Sequence, residues 1–177
     1  GTSGVALLSS SVFAGGKGSG NSGTTELDDD QKDRLFFIYQ EEKVARDVYT
    51  YLSDMYEDES TFASIKLAEQ RHMDSAQKLC EKYGVNISKV DEDVYGEFFV
   101  PYLNDLYKEC IDLGEEGLTE ALNVGIRIEE TDIGTLTDTI TALDVKKMPA
   151  DVISAYETLR EGSYNHLESF EARVARV

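Results

Sequence analysis

The chain has 177 residues, 41% hydrophobic and 29% charged, with only two prolines. That suits one globular domain and excludes a collagen-like or fully disordered chain. Acidic residues outnumber basic ones 35 to 17, a formal net charge of −18; this excludes nucleic acid, makes an anionic membrane surface an equally poor partner, and leaves cations as the natural small partners.

Residues 1–25 differ from the rest: they hold seven of the fourteen glycines, many serines and one charge, Lys17. The apolar run from Val5 to Ala14 is too short to span a bilayer. It reads as the end of a signal-peptide hydrophobic region with small residues around Ala14, the alternative being a flexible Gly/Ser linker. The expectation is a flexible segment over 1–25 and one helical domain over 26–177. The balance leans to an exported or cell-surface location over the cytoplasm, with no membrane-spanning segment.

From Thr25 onward the composition is helical, with apolar residues recurring near every 3.5 positions. Thr25 with Asp28 predicts an N-cap and an acidic first turn for a helix running to about Met55. Its buried seam is Leu35, Ile38, Glu42, Ala45, Tyr49 and Leu52. Ser60 predicts the cap of a second helix ending near Gly84, with seam Phe62, Ile65, Glu69, His72, Ala76 and Leu79. Residues 85–100 read as a loop. Pro101 opens a short helix ending near Gly114. A longer helix starts about Glu116 with seam Leu118, Leu122, Ile126, Glu129, Ile133 and Leu136, and Gly134 is a candidate break or kink. Pro149 opens a last helix with seam Val152, Tyr156, Leu159, Ser163, His166 and Phe170. No strand is evident. The expected architecture is all-α, a four-helix bundle whose long middle connection carries an extra short helix. Cys80 and Cys110 form no Cys-x-x-Cys pair; they read as reduced and buried, a single disulfide being the alternative.

Polar residues interrupt every long seam near its middle: Glu42 in the first, Glu69 and His72 in the second, Glu129 in the third, Ser163 and His166 in the fourth. An isolated buried carboxylate costs several kcal/mol, roughly, unless it is paired or binds a metal. Four helices accepting that cost at one level imply a shared partner, most simply a metal cation. Glu69 and His72 are three apart and share one helix face, and both histidines of the chain lie on seams. Oxygen and nitrogen donors without thiolate suit iron, manganese or zinc. Arg46, one turn beyond Glu42, could orient it, or form only a surface salt bridge. Tyr39, one turn before, reads as core packing.

At this point the sequence resembles the ferritin-like superfamily, whose bundles place a Glu on each of two helices and a Glu-x-x-His on the other two. Glu42-Lys43-Val44-Ala45-Arg46-Asp47-Val48-Tyr49 is similar to the first helix of rubrerythrins, Glu69-Gln70-Arg71-His72 to the second-helix motif, and Ile128-Glu129-Glu130 to the third helix of related diiron hydroxylases. Gly162-Ser163-Tyr164-Asn165-His166-Leu167 stands where the second Glu-x-x-His belongs. As a whole, residues 27–173 resemble a ferritin-like family labelled domain of unknown function 2202, a label that brings no reaction. The resemblance implies Glu42, Glu69, His72, Glu129 and His166 as metal ligands. Ser163 is a departure, since it removes the fourth-helix carboxylate. Asp132, one turn after Glu129, could compensate, as could Glu130 or Glu41 with a small helix rotation. The implied cofactor is iron, one or two ions, with manganese or zinc as alternatives. The implied chemistry is iron-dependent oxidation with dioxygen or peroxide. Metal holding without turnover and a non-catalytic bundle with a decayed site stay open, as does a homodimer.

Overall fold

In the computed structural model, residues 26–142 and 148–177 are described; the segment 1–25, with the expected linker or signal-peptide remnant, lies outside the described residues, as does 143–147. Five helices follow in order: α1 Asp29–Met55, α2 Ser60–Lys82, α3 Pro101–Gly114, α4 Leu118–Ala142 and α5 Ala150–Val174, with no strand among the described residues. None of these helices is long and apolar enough to cross a membrane.

Local chemistry sets most of the helix ends. Asp28, rather than Thr25, is the N-cap of α1: its carboxylate accepts the Gln31 amide while the Gln31 side chain accepts the Asp28 amide, a reciprocal capping box. At α2 the cap is Glu59 rather than Ser60. Its Oε1 accepts from the Thr61 amide and hydroxyl, and its Oε2 is held 2.6 Å from Arg173 Nε of α5. Gly84, at φ +67°, ends α2 by letting Val85 bond back to the Cys80 carbonyl. Pro101 opens α3, and Pro149 precedes α5. The expected break at Gly134 does not occur: α4 runs unbroken through it, with the glycine exposed.

The four long helices form a bundle in which every neighbouring pair is antiparallel. Arg46 meets Gln70 and Ser53 meets Lys66 between α1 and α2. Thr137 meets Arg160 between α4 and α5, Lys82 meets Asp151 between α2 and α5, and Glu41 meets Thr135 between α1 and α4. With both neighbours antiparallel to α1, α2 and α4 must point the same way. The chain therefore has to travel back along the bundle between them, which residues 83–117, including α3, accomplish.

Two apolar cores fill the bundle. One gathers Tyr49, Leu52, Phe62, Leu122 and Phe170, the other Leu35, Ile38, Met73, Tyr156 and Leu159. Cys80 and Cys110 are free and buried in these cores, as the sequence implied. Between the cores lies the level of the polar seam residues. Helix α1 is buried without interruption from Ile38 to Tyr49, its polar faces included, because α2, α4 and the connection cover it on different sides.

Candidate metal centre

All four long helices deliver charge to one level. Glu69 is the hub: its Oε2 lies 3.0 Å from His72 Nδ1 and its Oε1 2.6 Å from His166 Nδ1. His72 Nδ1 is also 3.2 Å from Glu42 Oε2, and His166 Nδ1 is 3.6 Å from Glu129 Oε2. The imidazoles stack with centroids 5.3 Å apart and planes at 26°. Glu69, His72 and His166 each present one donor atom within 4.8 Å of the other two. So the structure brings together the five seam residues Glu42, Glu69, His72, Glu129 and His166. The two histidines come from antiparallel helices and turn the same ring nitrogen inward.

Asp132 and Glu41 form a second group at the α1/α4 seam. Thr135 Oγ1 donates to Glu41 Oε1 at 3.1 Å, which lays this carboxylate on α4 within one turn of Asp132. Glu130 points to solvent and takes no part, contrary to one of the expectations for the missing carboxylate. Ser163 turns back on its own helix, its hydroxyl donating to the Leu159 carbonyl at 3.3 Å.

These groups are closed off and incompletely paired. The five carboxyl groups Glu41, Glu42, Glu69, Glu129 and Asp132 are all 4% exposed or less. Glu42 Oε2, Glu69 Oε1, Glu129 Oε2, Asp132 Oδ2 and His166 Nδ1 have no aligned hydrogen-bond partner among the described residues, the short Glu69–His166 contact included. Native interiors rarely leave such atoms unsatisfied.

Their protonation follows from the crowding. Burial alone would raise Glu69, but the two imidazoles outweigh it and hold its carboxyl down at about 2. Burial opposes charge on the imidazoles, yet Glu42 and Glu69 raise His72 to about 10, and Glu129 and Glu69 raise His166 to about 9. Burial pushes Glu42 up to about 7 and, with Glu69 beside it, Glu129 to about 8. Burial also drives Asp132 and Glu41 well above the usual carboxylate range, Asp132 further because Glu41 faces it. Without a cation, then, the cluster neutralises itself by holding protons.

Of two further residues beside Glu42, one departs from expectation. Arg46 neither orients Glu42 nor lies on the surface: it is buried on Asp47, Gln70 and the Glu92 carbonyl. Tyr39 packs in the core as read and also donates to Glu92, away from the cluster. Sequence reasoning missed Tyr49 as a polar participant. Its hydroxyl, fully buried, donates to Glu129 Oε1 at 2.7 Å and leaves only Oε2 free. The signal was its position seven residues after Glu42, two turns along the same face. Gly162 was missed too. A Cβ there would overlap His72 Cε1 and Nε2, so only glycine leaves room for this imidazole to lie against α5.

This chain is similar in sequence and fold to a protein of known structure. An uncharacterised protein of Methanocaldococcus jannaschii, MJ0754, is 35% identical over 144 residues, which is 81% of this chain and 75% of that protein. The crystal structure of hypothetical protein MJ0754 superposes with a TM-score of 0.80 at 31% identity, covering 89% of this chain and 86% of that one. The family described as an uncharacterised protein domain, DUF2202, matches residues 31–176, and the chain belongs to it.

Proposed function

We propose that this protein is a metal-binding bundle of the ferritin-like kind, with a carboxylate/histidine centre on Glu42, Glu69, His72, Glu129 and His166. The observation that carries the reading is the set of orphaned donors: three buried carboxyl groups, Glu42, Glu69 and Glu129, face two imidazoles with Glu41 and Asp132 in a second group, and five atoms of these residues lack aligned partners among the described residues. A dication can take several such oxygen and nitrogen atoms as ligands at once, where added hydrogen-bond donors would have to come one by one. Four long helices joined by one long connection support the ferritin-like reading. Glu69, His72 and His166, already within ligand reach of one another, would hold a first ion, with Glu42 and Glu129 beside them. Asp132 with Glu41 would serve a second ion on oxygen atoms alone, standing in for the carboxylate that Ser163 removes.

Donor chemistry favours iron, with manganese and zinc as alternatives. A redox-active ion there would supply one-electron chemistry towards a small oxidant such as dioxygen or peroxide. The chain's own contribution is to hold the donors rigidly, with Glu129 fixed by Tyr49, and to exclude water from the carboxylates. One observation favours a second reading, a bundle whose site has decayed: imidazolium on either side of Glu69 can satisfy part of the cluster with protons alone. Metal analysis of freshly purified protein, followed by melting with and without chelator, separates the two. The metal reading expects bound ion and a lower melting temperature on chelation; the decayed site expects neither. Faster oxygen or peroxide consumption by ferrous-loaded protein than by free iron, lost in Glu129→Ala, would add turnover to binding.

A further inference from the structure

The centre has one thin wall. The side chains of Glu42, Glu69 and Glu129 are 2% exposed or less, whereas those of the stacked imidazoles reach 11% at His166 and 15% at His72. The inward edge of His72 carries Nδ1, on Glu42 and Glu69. Its Cε1 and Nε2 lie against Gly162, and the residue lines a surface depression together with Thr158, Glu161 and Asn165 of α5. Glycine at 162 contributes no side chain to this wall. At the α2/α5 seam the His72 imidazole thus stands between the buried donors and this depression.

We propose that metal ions enter and leave the centre through this α2/α5 depression, with His72 as the swinging door and Gly162 as the position whose missing side chain makes room for its ring. The exposed carboxylates of Glu157 and Glu161 at its rim favour the approach of a cation. The inference rests on the metal reading above and adds a route to it. A constriction on the route changes the rates of loading and release by the same factor and leaves their ratio, the affinity, untouched.

The test uses cobalt(II), whose visible absorption reports the bound ion, with stopped-flow loading of the full chain and release into excess EDTA. Thr158→Trp and Asn165→Trp, both at exposed positions, cover the depression without replacing a proposed ligand; Glu130→Trp, on the outer face of α4, is the control. Loading and release in each covering variant should both slow about tenfold, the effect of a modest added barrier, with affinity unchanged and the control at parent rates. Parent-like rates in both covering variants, with the cobalt band intact, would place the route elsewhere and overturn this proposal alone. A parent protein that takes up no cobalt would remove the metal reading itself, and the route with it.

Discussion

Two groups of buried charge share α1. On the side facing the connection, Lys43 donates to Asp47 Oδ2 at 2.8 Å and to the carbonyls of Val94 and Glu97. Arg46 donates to Asp47 Oδ1, to Gln70 and to the Glu92 carbonyl, and the Gly96 amide completes Asp47. Every charged atom there has a partner, and the group fastens residues 92–97 to the helix. On the side facing the bundle axis, Glu42 belongs to a cluster with more acids than bases and several orphaned donors. The carboxylates of both clusters are buried. The difference is in pairing: buried charge that serves structure is satisfied within the chain, whereas the axial cluster keeps donor atoms free for something the chain does not supply.

The comparison breaks most visibly at Asp47. Asp47→Ala strands Lys43 and Arg46 as buried cations with no carboxylate, and should cost about 3–5 kcal/mol in urea unfolding. Chelator should not change that loss. A loss under 1 kcal/mol or so would mean the connection relaxes and rehydrates the cations.

The axial cluster should behave in the opposite way, responding to ions rather than to its own pairing. At free metal about 100 times the dissociation constant, the folded state gains about 2.7 kcal/mol. Scanning calorimetry should register this as roughly 5–10 °C in melting temperature for a domain of this size. His72→Ala and His166→Ala should each remove the response, while the Asp47 variant keeps it. An identical response in the histidine variants would place the ion elsewhere.

pH sharpens the contrast further. Glu42, Glu129, His72 and His166 all have folded pKa values raised above their unfolded ones, to about 7, 8, 10 and 9. A raised group contributes stability that is complete below its unfolded pKa and is lost as pH rises through its folded pKa. Between pH 6 and 9 the metal-free protein should therefore lose stability. Glu69, held down at about 2, stays ionised across that window and adds no slope. Metal competes with these same protons, so its affinity should rise with pH. The melting gap between loaded and stripped protein should then be wider at pH 8 than at pH 6. A gap that narrows would contradict proton competition at these ligands.

The smallest effect is expected at Tyr49. Tyr49→Phe removes the donor to Glu129 Oε1 and should cost about 1 kcal/mol in the metal-free protein. In the loaded protein the cost should be less, since the ion then satisfies the carboxylate. Equal costs in both forms would show that Glu129 faces no ion.

Much of this protein can be read from local pattern. The short helix from Pro101 to Gly114, the stop at Gly84 and the start after Pro149 follow from backbone chemistry that needs no distant partner. The six-residue seam of the last helix, Val152 to Phe170, is the complete buried set of α5. The carboxylates and histidines of the axial cluster were legible because each interrupts an apolar period. Periodicity fails where burial is polar. Arg46 read as a partner of Glu42 or a surface salt bridge and Lys43 and Asp47 carried no signal of burial; only the return of the connection over α1, about fifty residues later, covers and pairs the three. Glu59 caps α2 because Arg173, 114 residues away, fixes its carboxylate. The Glu41 bond to Thr135, the Tyr49 bond to Glu129 and the contact of His72 with Gly162 depend equally on which helices become neighbours. An apolar side chain needs only to leave water, so its period along the chain reveals its fate. A buried polar atom needs one particular partner, and the packed bundle decides which atom that is.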